Sequence, residues 1–234
     1  MQFRQSIIPP VIKNLLILNV IMYIAFTVLF NKYEGSLALH YWGASDFRPY
    51  QFVTYMFMHA SFWHIALNML ALWMFGSQIE NIWGPKRFLF FYLACGLGSA
   101  VFYYIVFSFQ IPYIKEDIMQ HITGQGTPEQ IAVAVDSYFK NYLNESSLLG
   151  ASGAIFGVLL AYGMMFPNNM IYIYFVLPLK AKYLVIIYGL IELYSGIEGM
   201  HGGGDNVAHF AHVGGLVTGF IIIMIWRARG EFYQ

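Results

Sequence analysis

The sequence predicts an all-α integral membrane protein: six transmembrane helices with a water-accessible site opening to the outer face. Three observations predict it. First, hydrophobic residues make up 59% of the 234 residues, and Asp, Glu, Lys and Arg only 10%, whereas a soluble domain is about a quarter charged. Second, charge is absent from 14–31, 49–79, 88–114, 146–179 and 206–226. A bilayer span needs roughly 20 apolar residues, because about 30 Å of hydrocarbon is crossed at about 1.5 Å per residue. Third, the few strongly polar side chains inside these blocks gather toward one end of their spans.

The spans are placed near 14–31, 60–79, 88–108, 150–165, 180–198 and 207–227, in one membrane domain covering 1–234. Pro167-Asn168-Asn169 marks a turn that ends the fourth, and the fifth is interrupted only by Glu192. With six spans both termini share a side. That side collects Arg4, Lys13, Lys86, Arg87, Lys180, Lys182, Arg227 and Arg229, against Lys32, Arg48, Lys115 and Lys140 opposite. The excess puts both termini in the cytoplasm. The first apolar run lacks a small-residue cleavage site, so it is expected to be retained as a span.

Composition also excludes classes. Net charge is zero and pI near 7.1, which leaves no basic surface for nucleic acid. The single cysteine, Cys95, cannot form an internal disulfide. No internal repeat of the kind that builds transporters is visible.

Between the third and fourth spans lies a polar insertion, 109–147. Within it Thr127-Pro128-Glu129-Gln130 reads as a helix start, with a capping Thr, Pro at the first helical position and Gln completing a capping box. Ile131, Val135, Tyr138 and Tyr142 follow at helical spacing, so an amphipathic helix to about 143 is expected, resting on the lipid bilayer surface. The segment 170–178, rich in β-branched and aromatic residues, is expected to be extended.

Polar groups inside lipid are costly and are functional candidates by default. Here they are His59, His64, Asn68, Ser152, Glu192, His209 and His212. Ser152, in Gly150-Ala151-Ser152-Gly153, falls in the first turn of the fourth span, where unpaired N–H groups and the helix dipole favour an anion. His212 precedes Gly215-xxx-Gly219 on the sixth span. If Gly153/Gly157 and Gly215/Gly219 face each other, the two helices approach closely and Ser152 and His212 meet at one depth. A Ser–His pair of that kind performs nucleophilic catalysis. No carboxylate is expected at that depth, so a dyad is predicted. Asp205 has no role, and Glu192 is assigned a structural hydrogen bond with Tyr188 or Tyr194. His64 and Asn68 share a helix face that Ser61 caps, and can donate hydrogen bonds to one oxyanion. A zinc site of His64, His209 and His212 is the competitor. It is set aside because no H-E-x-x-H motif and no carboxylate accompany them, so no metal and no cofactor are expected.

These motifs together, Gly150-x-Ser152-Gly153, Ala211-His212-x-x-Gly215-x-x-x-Gly219 and His64-x-x-x-Asn68, resemble those of rhomboid intramembrane proteases over roughly residues 40–228. The resemblance implies a rhomboid helical bundle around a hydrated cavity, with Ser152 as nucleophile and His212 as base. The Ser152 N–H, His64 and Asn68 would form the oxyanion site, and Phe156 would pack on the imidazole. It implies single-span membrane proteins as substrates, cut near the outer face, and a site in the bacterial inner membrane. Many relatives carry Trp-Arg in the first outer loop, where this chain reads Tyr50-Gln51. Gly202-Gly203-Gly204 would hinge a lid over the cavity. The competing function is a catalytically inactive relative that binds membrane clients, which loss of Ser152 or His212 would mark. Oligomeric state is not encoded legibly.

Overall fold

The computed structural model describes residues 6–29, 34–122, 126–173, 176–199 and 206–232. Its helices are α1 (Pro10–Ile24), α2 (Glu34–Leu37), α3 (Gln51–Thr54), α4 (Phe62–Ala71), α5 (Ser77–Ile122), α6 (Pro128–Glu145), α7 (Ser152–Met165), α8 (Ala181–Gly199) and α9 (Asn206–Ala228). Among the described residues three helical stretches are long and apolar enough to cross a membrane, Pro10–Thr27, Phe62–Ile122 and Ala208–Ala228, and Ser152–Met165 is a shorter apolar helix. Exposed Ile17, Phe90, Val101, Ile191 and Ile221 cover the outside of the bundle, as a lipid-facing surface requires.

The Phe62–Ile122 stretch is not one rod. Gly84, at φ 75° and ψ 165°, breaks it, a conformation that costs glycine little because it has no Cβ. Nearby, Glu80 ties this bend to the start of α1. Its two carboxylate oxygens accept from the Val11 N–H at 2.9 Å and the Ile12 N–H at 2.8 Å, donors that no helical carbonyl can serve.

Beyond the bend α5 runs through Pro112 to Ile122, so the start of the 109–147 segment is helical. α6 then returns along it, and the Lys115 ammonium sits 4.6 Å from the Phe139 ring centroid. The start of α6 carries the expected reciprocal cap. Thr127 Oγ1 accepts from the Gln130 N–H at 3.4 Å, and the Thr127 N–H donates to Gln130 Oε1 at 2.9 Å.

Among the described residues two small sheets complete the fold. β1 (Leu39–His40) pairs antiparallel with β2 (Ser147–Leu148), which pins the segment entering α7 against the segment between α2 and α3. β3 (Met170–Ile173) and β4 (Leu177–Lys180) form an antiparallel hairpin, the expected extended segment.

Gln51, the first residue of α3, organises the segment between α2 and α4. It is fully buried. Its Oε1 accepts from the His40 N–H at 3.3 Å and the Arg48 N–H at 3.1 Å, and its Nε2 donates to the carbonyls of Ser36 at 3.1 Å and Asp46 at 2.9 Å. The whole hydrogen-bonding capacity of the amide is thereby used.

Candidate active site

α9 packs against α5, α7 and α8, and its approach to α7 is set by glycine. A Cβ on Gly215 would strike the Gly153 carbonyl group, with the carbonyl carbon 2.8 Å away, and a Cβ on Gly219 would lie 3.2 Å from the Gly157 Cα. The two helices therefore touch backbone to backbone along the expected seam.

Ser152 is the first residue of α7, after Ala151 at the cap. Gly150 just before it has φ +124° and donates its N–H to the Tyr55 carbonyl at 2.9 Å. A side chain on Gly150 would fall 2.8 Å from His64 Nε2 and 3.4 Å from Ser152 Oγ. The glycine thus keeps open a small space bordered by both groups.

Nearly two turns into α9, His212 Nε2 lies 2.7 Å from Ser152 Oγ. Phe156 stacks on the same imidazole, with centroids 4.5 Å apart and planes 14° from parallel. On α4, Ser61 Oγ accepts from the His64 N–H at 3.2 Å and fixes the start of the helix. Asn68 is buried, and its side-chain Nδ2 has no hydrogen-bond partner. An unmet buried donor of this kind is costly. His59 is buried in the loop before α4, its ring edge-on to His64 with centroids 4.9 Å apart.

The expectation that no carboxylate reaches this depth is overturned. Glu192 Oε2 lies 2.9 Å from His212 Nδ1 and 2.7 Å from His209 Nδ1. Its partners are these two histidines, not Tyr188 or Tyr194, which are exposed. The physical reason is depth. Glu192 is seven residues before the end of α8 and His212 six after the start of α9, so each lies roughly 10 Å from the loop that joins the two helices.

A carboxylate therefore does share the histidine cluster, although the chain carries no H-E-x-x-H motif. The ligand atoms of Glu192, His209 and His212 lie within 4.8 Å of one another. His64 is not in that cluster. Gly202-Gly203-Gly204 and Asp205 lie outside the described residues.

The family model described as Rhomboid domain matches residues 46–114 and 118–229, most of the chain. The chain belongs to the rhomboid family. It is 29% identical to RHOMBOID-like protein 12, mitochondrial, from Arabidopsis thaliana, over 74% of this chain and 45% of that protein. It is 27% identical to Rhomboid protein 1, mitochondrial, from Saccharomyces cerevisiae, over 70% of this chain and 38% of that one. It is 29% identical to Rhomboid protease GluP of Bacillus subtilis, over 73% of this chain and 25% of that one. The chain thus spans about half or less of the length of the rhomboid relatives it matches. Family and apolar helices together make it an integral membrane protein. Its rhomboid relatives come from mitochondria as well as from a bacterium, so they do not favour the bacterial inner membrane.

Proposed function

We propose that this chain is an intramembrane serine endopeptidase that cleaves transmembrane segments of other membrane proteins. The observation that carries the reading is the 2.7 Å approach of His212 Nε2 to Ser152 Oγ at the first turn of α7. The rhomboid family, which includes a protein named a protease, supports it further.

In this reading Ser152 Oγ attacks the scissile carbonyl while His212 Nε2 takes the hydroxyl proton. The carbonyl oxygen becomes an oxyanion held by the Ser152 N–H, His64 and the Asn68 amide at the positive end of α7. His212 then returns the proton to the leaving amine and the peptide C–N bond breaks. Water, deprotonated by the same imidazole, hydrolyses the acyl-enzyme. Phe156 holds the imidazole plane, and the glycine seam holds α7 and α9 together. No step calls on a metal or cofactor.

Six spans, a hydrated cavity opening outward and cytoplasmic termini complete the proposal. A helical substrate must unwind to expose its backbone, which favours single-span proteins with a weak segment near the outer face. The client-binding alternative is disfavoured because Ser152 and His212 are both present and in contact.

The test is cleavage of a single-span reporter by purified protein in detergent or liposomes. Wild type is expected to cut, with Ser152→Ala and His212→Ala silent though folded. An inert wild type whose Ser152 resists a fluorophosphonate would overturn the proposal and favour client binding.

A further inference from the structure

We infer that Glu192 is a positioning residue of this site, setting the tautomer of His212 and holding its charged form. The inference rests on the protease reading above.

Glu192 is the polar exception among the buried residues of its helix, the others being Ala181, Leu184, Val185 and Gly196. Its neighbours Leu190, Ile191 and Leu193 face outward and are exposed, whereas Glu192 is 8% exposed. A carboxylate at that depth is costly unless it is hydrogen-bonded. Here one oxygen, Oε2, receives two imidazoles, His209 Nδ1 at 2.7 Å and His212 Nδ1 at 2.9 Å. An ionised carboxylate has only acceptors, so each Nδ1 carries the hydrogen.

For His212 the consequence is chemical. A neutral imidazole has one N–H. With that hydrogen on Nδ1, Nε2 keeps its lone pair, and Nε2 is the atom that faces Ser152 Oγ at 2.7 Å. The serine must then donate, which is the arrangement a general base requires. The opposite tautomer would point an N–H at the serine and could not take its proton. When the proton moves from Oγ to Nε2, the ring carries a positive charge directly against the Glu192 carboxylate. That charge forms on a ring only 21% exposed, against a carboxylate side chain 11% exposed, so a fixed counter-charge has more effect than it would in bulk water. The proton goes on to the leaving amine, and Glu192 stays ionised throughout.

His209 completes the arrangement by occupying a second lone pair of Oε2, which fixes the carboxylate rotamer. A metal shared by the three groups fits the geometry less well. An ion bonded at about 2.0–2.2 Å to each ligand would hold them further apart than the direct contacts of 2.7 and 2.9 Å.

The experiment uses the full chain, labelled with 15N-histidine, in detergent containing EDTA. Wild type, Glu192→Gln, Glu192→Asp and His209→Ala are compared by 15N chemical shifts and by kcat and KM on a single-span reporter. In wild type the His212 hydrogen is expected on Nδ1. In Glu192→Gln it moves toward Nε2, and kcat falls by roughly 10²- to 10⁴-fold, the range seen when a catalytic histidine loses its orienting carboxylate. KM changes little, because substrate does not touch Glu192. Glu192→Asp recovers part of kcat, and His209→Ala costs less than about tenfold.

A folded Glu192→Gln with the wild-type tautomer and undiminished kcat would overturn the inference and leave Glu192 as an anchor between α8 and α9. Loss of wild-type cleavage in EDTA, restored by zinc, would overturn it in favour of a metal site. If Glu192→Gln does not fold, Glu192→Asp decides the question by the same two readouts. If wild type cuts nothing, the protease reading fails, while the tautomer comparison still supports or overturns the role of Glu192.

Discussion

Phe156 lies flat on the His212 imidazole, one helical turn below Ser152, with ring centroids 4.5 Å apart and planes 14° from parallel. A stacked pair of this kind contributes about 0.5–1.5 kcal/mol beyond its buried area. Its larger effect is on direction, since it fixes the plane in which Nε2 meets the serine. Phe156→Ala is expected to lower kcat by at least about tenfold, because a displacement near 1 Å at a reacting group can cost about 100-fold. Phe156→Tyr should retain most activity. Reporter cleavage by folded variants decides it, and an Ala variant as fast as wild type would show that the stack does not orient the base.

The seam between α7 and α9 tolerates no side chain at Gly215. A Cβ there meets the Gly153 carbonyl, which is backbone and cannot swing aside. Gly215→Ala is expected to destabilise the fold by about 1–3 kcal/mol, the usual range for overpacking. It should also part Ser152 from His212, so that fluorophosphonate labelling drops even at temperatures where the variant stays folded. Gly189 is the control, since a Cβ there meets only Leu216 Cδ1 at 3.5 Å. Equal labelling of the Gly215→Ala and Gly189→Ala variants would refute the seam as the device that brings the pair together.

Gln51 holds the segment between α2 and α4 by five hydrogen bonds from one buried amide. Gln51→Ala leaves the N–H groups of His40 and Arg48 without that acceptor. An unmet buried polar group costs about 1–3 kcal/mol, and the loss expected here is on the order of 3 kcal/mol. Thermal unfolding measures the total. Limited proteolysis should show new cuts between Ser36 and Gln51, while Ser152 still labels in the cold. An unchanged melting curve would mean that the loop is held by other contacts.

What the sequence reveals and what it hides divide by range. The Thr127–Gln130 cap and the Ser61 cap are local, and their geometry follows from a few adjacent residues. The glycine seam is non-local but periodic, so matching four-residue spacings at Gly153/Gly157 and Gly215/Gly219 foretell it. The bonding of Gln51 depends on loop conformation and leaves no pattern in the chain. Glu192 is the instructive case. Judged by neighbours on its own helix it pairs with Tyr188 or Tyr194, and the structure gives it two histidines from α9 instead. Counting residues from the loop that joins the two helices would have put Glu192 and His212 at the same depth. The signal was therefore present, but only as a comparison of depths. The continuation of α5 through Pro112 was hidden for another reason, since polarity after residue 109 marks departure from lipid and not the end of the helix.

His59 gives the fold a dependence on pH. It lies in the loop before α4, 4% exposed. Burial pushes its imidazole down to about 4 from the ordinary 6.5, with the neighbouring His64 adding to the shift and the Phe57 backbone opposing it. Unfolded, His59 takes a proton below about 6.5, whereas folded it does so only below about 4. Between those values the unfolded state holds the extra proton, so stability is lost as pH falls through that window, by up to about 1.4 kcal/mol per pH unit. Above it the contribution is complete. Other groups titrate in the same range, so the comparison must be differential. His59→Phe keeps a planar ring and removes the titration. The Tm of wild type relative to this variant is expected to fall on moving from about pH 7 to about pH 5. A difference in Tm that stays constant across that interval would show that His59 is as easily protonated in the folded protein as in the unfolded chain.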